Sequence, residues 1–196
     1  IMKKAGVEHF VTAKIGWNDT NRFPYDTFIW KGIDGSDVTA YLISTADRCN
    51  PRQGIYDITY TTYTPDICAT HILATWHRYT QKDYSNTVFL TMGWGDGGGG
   101  ATREMLEAQR RFSYGIPGIP KTNMSTLKDT ISEINQNFNK SSEELKRKPT
   151  WSGELYFEFH RGTLTSVPMV KKYNRDSEYL LTNAETISEI NKHIFK

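Results

Sequence analysis

Residues 87–100 have the sequence Thr-Val-Phe-Leu-Thr-Met-Gly-Trp-Gly-Asp-Gly-Gly-Gly-Gly. The first four residues are typical of a β-strand, and the rest place one carboxylate, Asp96, among six glycines. Glycine costs conformational entropy on folding, so this cluster indicates a backbone shaped for close approach to a ligand or for positive φ. Asp96 is therefore the first candidate for chemistry, and the alternative is a flexible linker.

A helix is predicted directly after this glycine loop. Thr102 has the properties of an N-cap in a capping-box pattern, and Met105 and Leu106 begin an apolar face. The resulting unit of strand, glycine loop and helix has the outline of a phosphate-binding loop. It lacks both the Gly-Lys-Ser/Thr ending and the GxGxxG spacing of such loops, so nucleotide binding is not favoured.

The composition indicates one domain, with room for an appended element. The chain has 196 residues, of which 37% are hydrophobic, and this is enough for one good core. No apolar stretch approaches the roughly 20 residues that cross a bilayer, and the first residues do not form a hydrophobic signal region. We therefore expect no membrane partner.

Charge and cysteine content argue against nucleic-acid binding and against a disulfide-stabilised protein. The formal net charge is only +2, and the Lys and Arg residues are spread along the chain, so no nucleic-acid partner is expected. Two cysteines, Cys49 and Cys68, cannot form a zinc site alone. They suit reduced thiols better than a disulfide framework, which predicts a cytoplasmic location.

Strands and helices alternate along the rest of the chain, which indicates the α/β class. Strands are predicted at 9–14, 27–30, 38–43, 87–90 and 154–160, with a hairpin at 32–36. Helices are predicted at 67–82, 102–111, 125–134 and 178–194, and a polar stretch at 135–148 follows the third of them. The last helix suggests entry into a helical domain, so we expect an internal segment of a larger protein.

Four motifs occur in order along the chain. They are Lys14-Ile15-Gly16-Trp17-Asn18-Asp19-Thr20-Asn21-Arg22-Phe23-Pro24, Trp30-Lys31-Gly32-Ile33-Asp34-Gly35-Ser36, Gly93-Trp94-Gly95-Asp96-Gly97-Gly98-Gly99-Gly100 and Glu154-Leu155-Tyr156-Phe157-Glu158-Phe159-His160-Arg161-Gly162-Thr163. Together they closely resemble the α-mannosidases of glycoside hydrolase family 38, in particular the cytosolic and bacterial branch. The resemblance implies that residues 1–175 are the second half of a seven-stranded β/α barrel and that residues 176–196 begin a helical bundle.

The resemblance also implies a reaction. Family members release terminal α-D-mannose from oligosaccharides with retention, by means of two carboxylates and a zinc ion. Asp96 falls where the family carries its acid/base aspartate, and barrel enzymes hold catalytic groups on such loops at strand ends. The family's nucleophile and zinc ligands lie outside this chain. We therefore expect the segment alone to be inactive and to depend on the remainder of the same polypeptide.

Candidates for substrate binding follow the first predicted strand and flank Asp96. Lys14 falls where relatives carry an arginine near the nucleophile, and the alternative is a surface lysine. Trp17, Asn18 and Asp19 could bind sugar hydroxyls, or the loop could simply be shaped by local side-chain hydrogen bonds. Trp94 could offer an apolar face to a sugar ring.

A second group of candidates ends the last predicted strand. Alternation would place Glu158 and His160 on one sheet face, which suits either a sugar site or a buried ion pair with Arg161. Asp47 and Arg48 are weaker candidates. Four histidines are expected to be structural or exposed, because none has a carboxylate or cysteine at ligand spacing: His9, His71, His77 and His193.

Two functions of other classes remain open. Aromatic residues make up 13% of the chain, and its five tryptophans could supply the stacking platforms of a carbohydrate-binding module without catalysis. In the other alternative the chain is a scaffold, and the glycine loop merely joins two elements.

Overall fold

A computed structural model of the chain describes residues 1–46, 60–164 and 166–194. The chain forms two compact units, Ile1–Glu158 and Phe159–Lys196. Two of the weaker sequence candidates, Asp47 and Arg48, lie outside the described residues. In the described part of the chain, no helix combines the length and apolar character that crossing a bilayer requires.

The first unit is built on a mixed four-stranded sheet. Its strands are β1 (His9–Thr12), β2 (Thr27–Lys31), β3 (Asp37–Leu42) and β4 (Thr150–Ser152), in the order β1-β3-β2-β4. The β1–β3 and β2–β4 pairs are parallel, and the β2–β3 pair is antiparallel. The α/β class is thus confirmed.

The predicted hairpin joins β2 to β3. Gly32 N donates to Ser36 O at 2.8 Å, and Asp34 Oδ1 accepts from both Ser36 N and Ser36 Oγ. Gly35 takes a φ of 79°, which a residue without Cβ adopts at no steric cost. The turn residues therefore act as the sequence predicted.

Among its described residues, the first unit contains three α-helices: α1 (Ala69–Arg78), α2 (Arg103–Phe112) and α3 (Leu127–Glu144). The hydroxyl of Thr102 accepts from Met105 N at 3.2 Å, which confirms the predicted N-cap of α2. The reciprocal half of a capping box is missing, because Met105 stands where the box requires Glu or Gln. Thr126 caps α3 in the same way through Asp129 N.

The sheet carries an apolar cluster on each face. Alternate residues of β3 point to opposite faces, so Tyr41 joins one cluster while Ala40 and Leu42 join the other. The first cluster also contains Ala13, Ile43, Phe89 and the α3 residue Ile134. The second cluster also contains Ile15 and the fully buried Phe28. Helix α3 is thus packed against the same face that receives the segment leading to the glycine loop.

Two strand predictions are wrong. Residues 87–90 form no strand with any described residue, although Phe89 is buried in the first cluster. Residues 154–160 are not a strand either: an irregular segment leads into a 3-10 helix, Glu158–Leu164. Instead the strand is β4, which precedes that segment and pairs with β2. In both places the apolar pattern reflects side-chain burial without backbone pairing.

The polar stretch at 135–148 was also predicted wrongly, because α3 continues through most of it to Glu144. Phe138 lies in this stretch with no exposed surface, and its ring packs against Tyr84 at 5.5 Å between centroids. One buried aromatic residue is enough to dock a helix whose other positions are polar.

The second unit contains α4 (Pro168–Ile194), which begins ten residues before the predicted start at 178. Proline suits the first turn of a helix because its missing N–H would have no partner there. Within the described residues of α4 no side chain is buried. Three ion pairs at helical spacing lie along it: Lys172–Asp176, Arg175–Glu178 and Glu189–Lys192.

Candidate active site

The glycine loop closes on itself, with Asp96 at its tip. Gly98 N donates to Gly95 O at 3.2 Å, and the two residues between them, Asp96 and Gly97, have φ values of 57° and 83°. Positive φ at both central positions is the pattern of a type I′ turn, for which Asp-Gly is a preferred dipeptide. Asp96 is exposed at this tip.

Trp94 closes the base of the same loop. Its backbone N donates to Gly99 O at 2.9 Å, and the two residues form a bridge of the antiparallel kind. The Trp94 side chain remains 52% exposed, next to the turn that carries Asp96. An exposed indole beside a carboxylate offers the apolar surface on which the face of a sugar ring can pack.

Tyr63 holds the Asp96 carboxylate. The Tyr63 hydroxyl donates to Asp96 Oδ1 at 2.9 Å, and this hydrogen bond raises the pKa of Tyr63. The loop lies directly against Tyr63, because a Cβ at Gly95 would overlap its ring, with Cδ2 only 2.8 Å away. Thr91 Oγ1 donates to Tyr63 O at 2.8 Å and ties the two segments together before the loop begins.

Lys14 also contacts the Tyr63 ring. It begins a 3-10 turn, Lys14–Gly16, directly after β1. Its Nζ is 3.5 Å from the ring centroid of Trp17 and 4.7 Å from that of Tyr63, which is within the range of a cation–π interaction. Within the described part of the chain, Lys14 forms no ion pair with a carboxylate.

The indole of Trp17 is fixed from two directions. Its Nε1 donates to Thr61 O, and its ring meets the edge of Phe157 at 5.9 Å between centroids. The Thr61 hydroxyl donates in turn to Ala13 O. A Cβ at Gly16 would overlap Thr61, so the turn after β1 packs tightly on the segment at 60–64.

Asn18 shapes the next part of the loop. Its side-chain oxygen accepts from Thr20 N at 2.9 Å and from Asn21 N at 2.7 Å, which is a local turn of the kind asparagine favours. The loop-shaping alternative for Asn18 is therefore observed. Its Nδ2 makes no hydrogen bond to another described residue.

Asp19 and Glu158 meet although they are distant in sequence. Asp19 N donates to Glu158 Oε2 at 2.6 Å, and Thr20 Oγ1 donates to Glu158 Oε1 at 3.4 Å. The Asp19 carboxylate accepts from the hydroxyl of Tyr60. Glu158 thus holds the loop after β1 through the backbone.

The two remaining candidates, His160 and Arg161, belong to the second unit. Both are exposed in the 3-10 helix Glu158–Leu164, where His160 has non-helical backbone angles, φ −115° and ψ 16°. The expected alternation of Glu158 and His160 on one sheet face is wrong, because this segment is not a strand.

Three residues of this site were missed by the sequence prediction: Tyr60, Thr61 and Tyr63. Each contacts a predicted residue, namely Asp19, Trp17 and Asp96 respectively. The signal was present in the sequence, since residues 60–64 consist only of tyrosine and threonine and stand immediately before Pro65. Such a run indicates an extended segment that carries aromatic hydroxyls.

No group of three or more His, Cys, Asp or Glu residues within the described ranges could hold a metal ion. These residues therefore do not fit a zinc site of their own. The sequence analysis found no cysteine at ligand spacing from His71. This was wrong, because Cys68 Sγ lies 3.3 Å from His71 Nδ1. This pair supplies two donors, whereas a zinc site takes three or four from the protein.

Comparison with known proteins gives a consistent result. Residues 1–154 match the family described as "Glycosyl hydrolases family 38 N-terminal domain". The chain is 36% identical over 192 residues to Alpha-mannosidase of Saccharomyces cerevisiae, which covers 96% of this chain and 16% of that protein. It is 33% identical over 190 residues to Alpha-mannosidase 2C1 of Homo sapiens, and this match covers 97% of this chain and 16% of that protein.

A third relative is Alpha-mannosidase G of Dictyostelium discoideum. It is 34% identical over 188 residues, which cover 96% of this chain and 15% of that protein. The chain therefore spans about one sixth of the length of the curated relatives it matches.

Proposed function

Since the chain belongs to glycosyl hydrolase family 38, we propose that it forms part of the active site of an α-mannosidase that releases terminal α-D-mannose from oligosaccharides with retention. In this proposal Asp96 is the acid/base residue. It protonates the departing glycosidic oxygen and then removes a proton from the attacking water. The nucleophile is a second carboxylate from the remainder of the polypeptide.

One observation supports this assignment most directly. Asp96 is exposed at the tip of a turn and its two chain neighbours are glycines, so no side chain from either adjacent residue hinders the approach of a bulky ligand to its carboxylate. Its Oδ1 is held by Tyr63. Within the described residues, nothing donates to Oδ2, which leaves this oxygen for proton exchange with a substrate.

The surrounding groups suit a sugar. Trp94 presents an exposed indole beside Asp96, and Trp17 presents a ring that carries the Lys14 ammonium. Apolar faces with a few placed polar groups are the usual lining of a carbohydrate or small-molecule site. We therefore retain Lys14, Trp17, Asn18, Asp19, Trp94 and Glu158 as proposed substrate-binding residues. For His160 and Arg161 this role is proposed from the family resemblance alone.

Other parts of the proposal concern the rest of the protein. We propose that further strands complete the sheet as a seven-stranded barrel, that the domain boundary lies between 175 and 176, within α4, and that the part of α4 after this boundary begins a helical bundle. A zinc ion would be held by residues beyond those described here, and no step assigned to this chain passes through it. The free thiol of Cys68 agrees with the predicted cytoplasmic location.

The test uses the complete protein that contains this chain and two substrates: an activated aryl α-mannoside and an α-linked mannobiose. Turnover of both, lost on chelation and restored by zinc, supports a metal-dependent mannosidase. Asp96→Ala should lose far more activity on mannobiose, whose poor leaving group needs protonation, than on the aryl substrate. Binding of mannosides without turnover of either substrate would favour a carbohydrate-binding module instead.

A further inference from the structure

The bond between Tyr63 and Asp96 links the site to the core of the first unit. Tyr63 is partly buried and packs against the apolar cluster that contains Phe89 and Ile134. Asp96 has no such anchor, because it is exposed on a glycine turn. Its only hydrogen bond from a side chain within the described residues comes from the Tyr63 hydroxyl, at 2.9 Å. The carboxylate is therefore fixed by a group outside its own loop.

Two neighbours contact the Tyr63 ring. The backbone of Gly95 lies so close that a Cβ there would overlap the ring. The Lys14 ammonium lies 4.7 Å from the ring centroid, which is within the range of a cation–π interaction. Both contacts restrict the movement of the ring whose hydroxyl is bonded to Asp96.

We propose that Tyr63 is a positioning residue for Asp96: its hydroxyl occupies Oδ1, so that Oδ2 carries the proton exchanged during hydrolysis. This rests on the acid/base role proposed above for Asp96. In the first step the second carboxylate, from the remainder of the polypeptide, forms a bond to the anomeric carbon while the C–O bond to the leaving group breaks. The Oδ2–H bond breaks as its proton passes to the glycosidic oxygen, which leaves with the electrons of that C–O bond. In the second step the oxygen of a water molecule forms a bond to the anomeric carbon, the bond to the second carboxylate breaks, and Oδ2 takes the proton that the water loses, which restores the acid.

A simpler explanation for the same contact is structural. Asp96 occupies a position in a type I′ turn where aspartate is favoured for its backbone alone, and Tyr63 could merely stabilise the loop. The two explanations predict different effects of removing the Tyr63 hydroxyl oxygen. A structural bond affects stability and every substrate alike, whereas a positioning bond affects only the steps that need Asp96.

The test is a double-mutant cycle in the complete protein with Tyr63→Phe, Asp96→Ala and the double variant. Phenylalanine keeps the ring that packs on the core, and thermal unfolding of each variant verifies the fold. The control is Tyr114→Phe, which removes the hydroxyl of a 75% exposed tyrosine bonded to Arg110. For each variant, kcat and KM are measured on mannobiose and on the activated aryl α-mannoside.

We expect Tyr63→Phe to lower kcat/KM on mannobiose about tenfold, with a smaller loss on the aryl substrate. The loss should lie in kcat with little change in KM, because the bond orients Asp96 for proton transfer and does not hold the substrate. In the Asp96→Ala background the same change should cost less than about twofold. Tyr114→Phe should match the wild type.

Two results would overturn the positioning role while leaving the α-mannosidase proposal intact: equal losses in both backgrounds, or equal losses on both substrates with the change confined to KM. A third result is distinct from these. If the wild type hydrolyses neither substrate, the proposed function fails before any variant is compared, and the role of Tyr63 fails with it.

Discussion

The backbone amide of Asp19 donates a hydrogen bond of 2.6 Å to Glu158 Oε2, although the two residues are 139 positions apart in the chain. The bond joins the loop after β1 to the segment after β4, and these strands lie at opposite edges of the sheet. Sheet pairing alone therefore does not fix the distance between the two loops. Glu158 fixes it through a charge-assisted hydrogen bond, which is stronger than one between neutral groups.

Loss of this carboxylate should loosen the loop that carries Asn18 and Asp19. We expect Glu158→Ala to raise KM for mannobiose about fivefold with little change in kcat, which corresponds to ~1 kcal/mol of binding. Glu158→Gln keeps an acceptor for Asp19 N and should fall between this variant and the wild type.

A nearby glutamate provides the control for this measurement. The exposed side chain of Glu154 makes no hydrogen bond or ion pair with another described residue, so Glu154→Ala should leave KM unchanged. If Glu158→Ala lowers kcat as strongly as Asp96→Ala does, Glu158 acts in the chemical step and the loop-anchoring role is wrong.

The glycine loop allows a matched pair of alanine substitutions. A Cβ at Gly95 would overlap the Tyr63 ring and lie 3.0 Å from Thr64 Cγ2, whereas a Cβ at Gly100 would meet no atom within 4 Å. We expect Gly95→Ala to cost roughly 1–3 kcal/mol of unfolding free energy and to displace Asp96, with turnover of mannobiose falling more than about tenfold.

Gly100→Ala, the second member of the pair, should leave the thermal unfolding midpoint unchanged, because its backbone φ is not in the left-handed region. Equal midpoints for the two variants would show that the loop does not pack on Tyr63 as described.

Lys14 permits a direct choice between two interpretations of one residue. The family resemblance places it near the nucleophile, whereas the structure places its ammonium against Trp17 and Tyr63. Lys14→Met keeps the aliphatic stem and removes the charge. If the aromatic contacts are its main role, this variant loses about 0.5–2 kcal/mol of stability, and Lys14→Arg restores it because guanidinium also binds aromatic faces.

The measurement for Lys14 combines thermal unfolding with kcat on the aryl substrate. A loss of kcat of more than about a hundredfold with an unchanged midpoint would instead support an electrostatic role toward the nucleophile, since about 2.7 kcal/mol of barrier would then come from the charge alone. If the aromatic contacts are the main role of Lys14, kcat and the unfolding midpoint should fall together.

Local patterns predicted the features that depend on neighbouring residues. The hairpin at 32–36 followed from its turn residues, and the start of α2 followed from Thr102, because each hydrogen bond lies within four residues. The loop bearing Asp96 was also found, although its Asp-Gly turn could have been specified further from the dipeptide alone.

Contacts between distant segments could not be predicted in this way. Tyr63 precedes Asp96 by 33 residues, and no periodicity or spacing relates the two. The end of α3 was missed for a similar reason, because its polar composition conceals the single buried anchor Phe138. In each case the tertiary contact, which a single sequence does not display, overrides the local propensity.

Asp26 provides a pH-dependent prediction outside the candidate site. This residue is 7% exposed, and burial raises the pKa of its carboxyl, although hydrogen bonds from Thr80 N and Thr80 Oγ1 oppose the effect. Because the pKa is higher in the folded state than in the unfolded chain, the neutral acid stabilises the fold. That contribution is complete below the ordinary pKa of 3.8 and is lost as the pH rises through the folded value.

Asp26→Asn isolates this contribution, because the amide is neutral at every pH. Both Thr80 bonds go to Oδ2, so one amide oxygen can accept them, and Asp26 Oδ1 has no hydrogen-bond partner among the described residues. We expect the unfolding midpoint of the wild type to rise relative to that of Asp26→Asn as the pH falls from neutrality toward the ordinary carboxyl value of 3.8. A difference that stays constant, or that moves the other way, would mean that Asp26 is not held in the low-dielectric surroundings that its burial indicates.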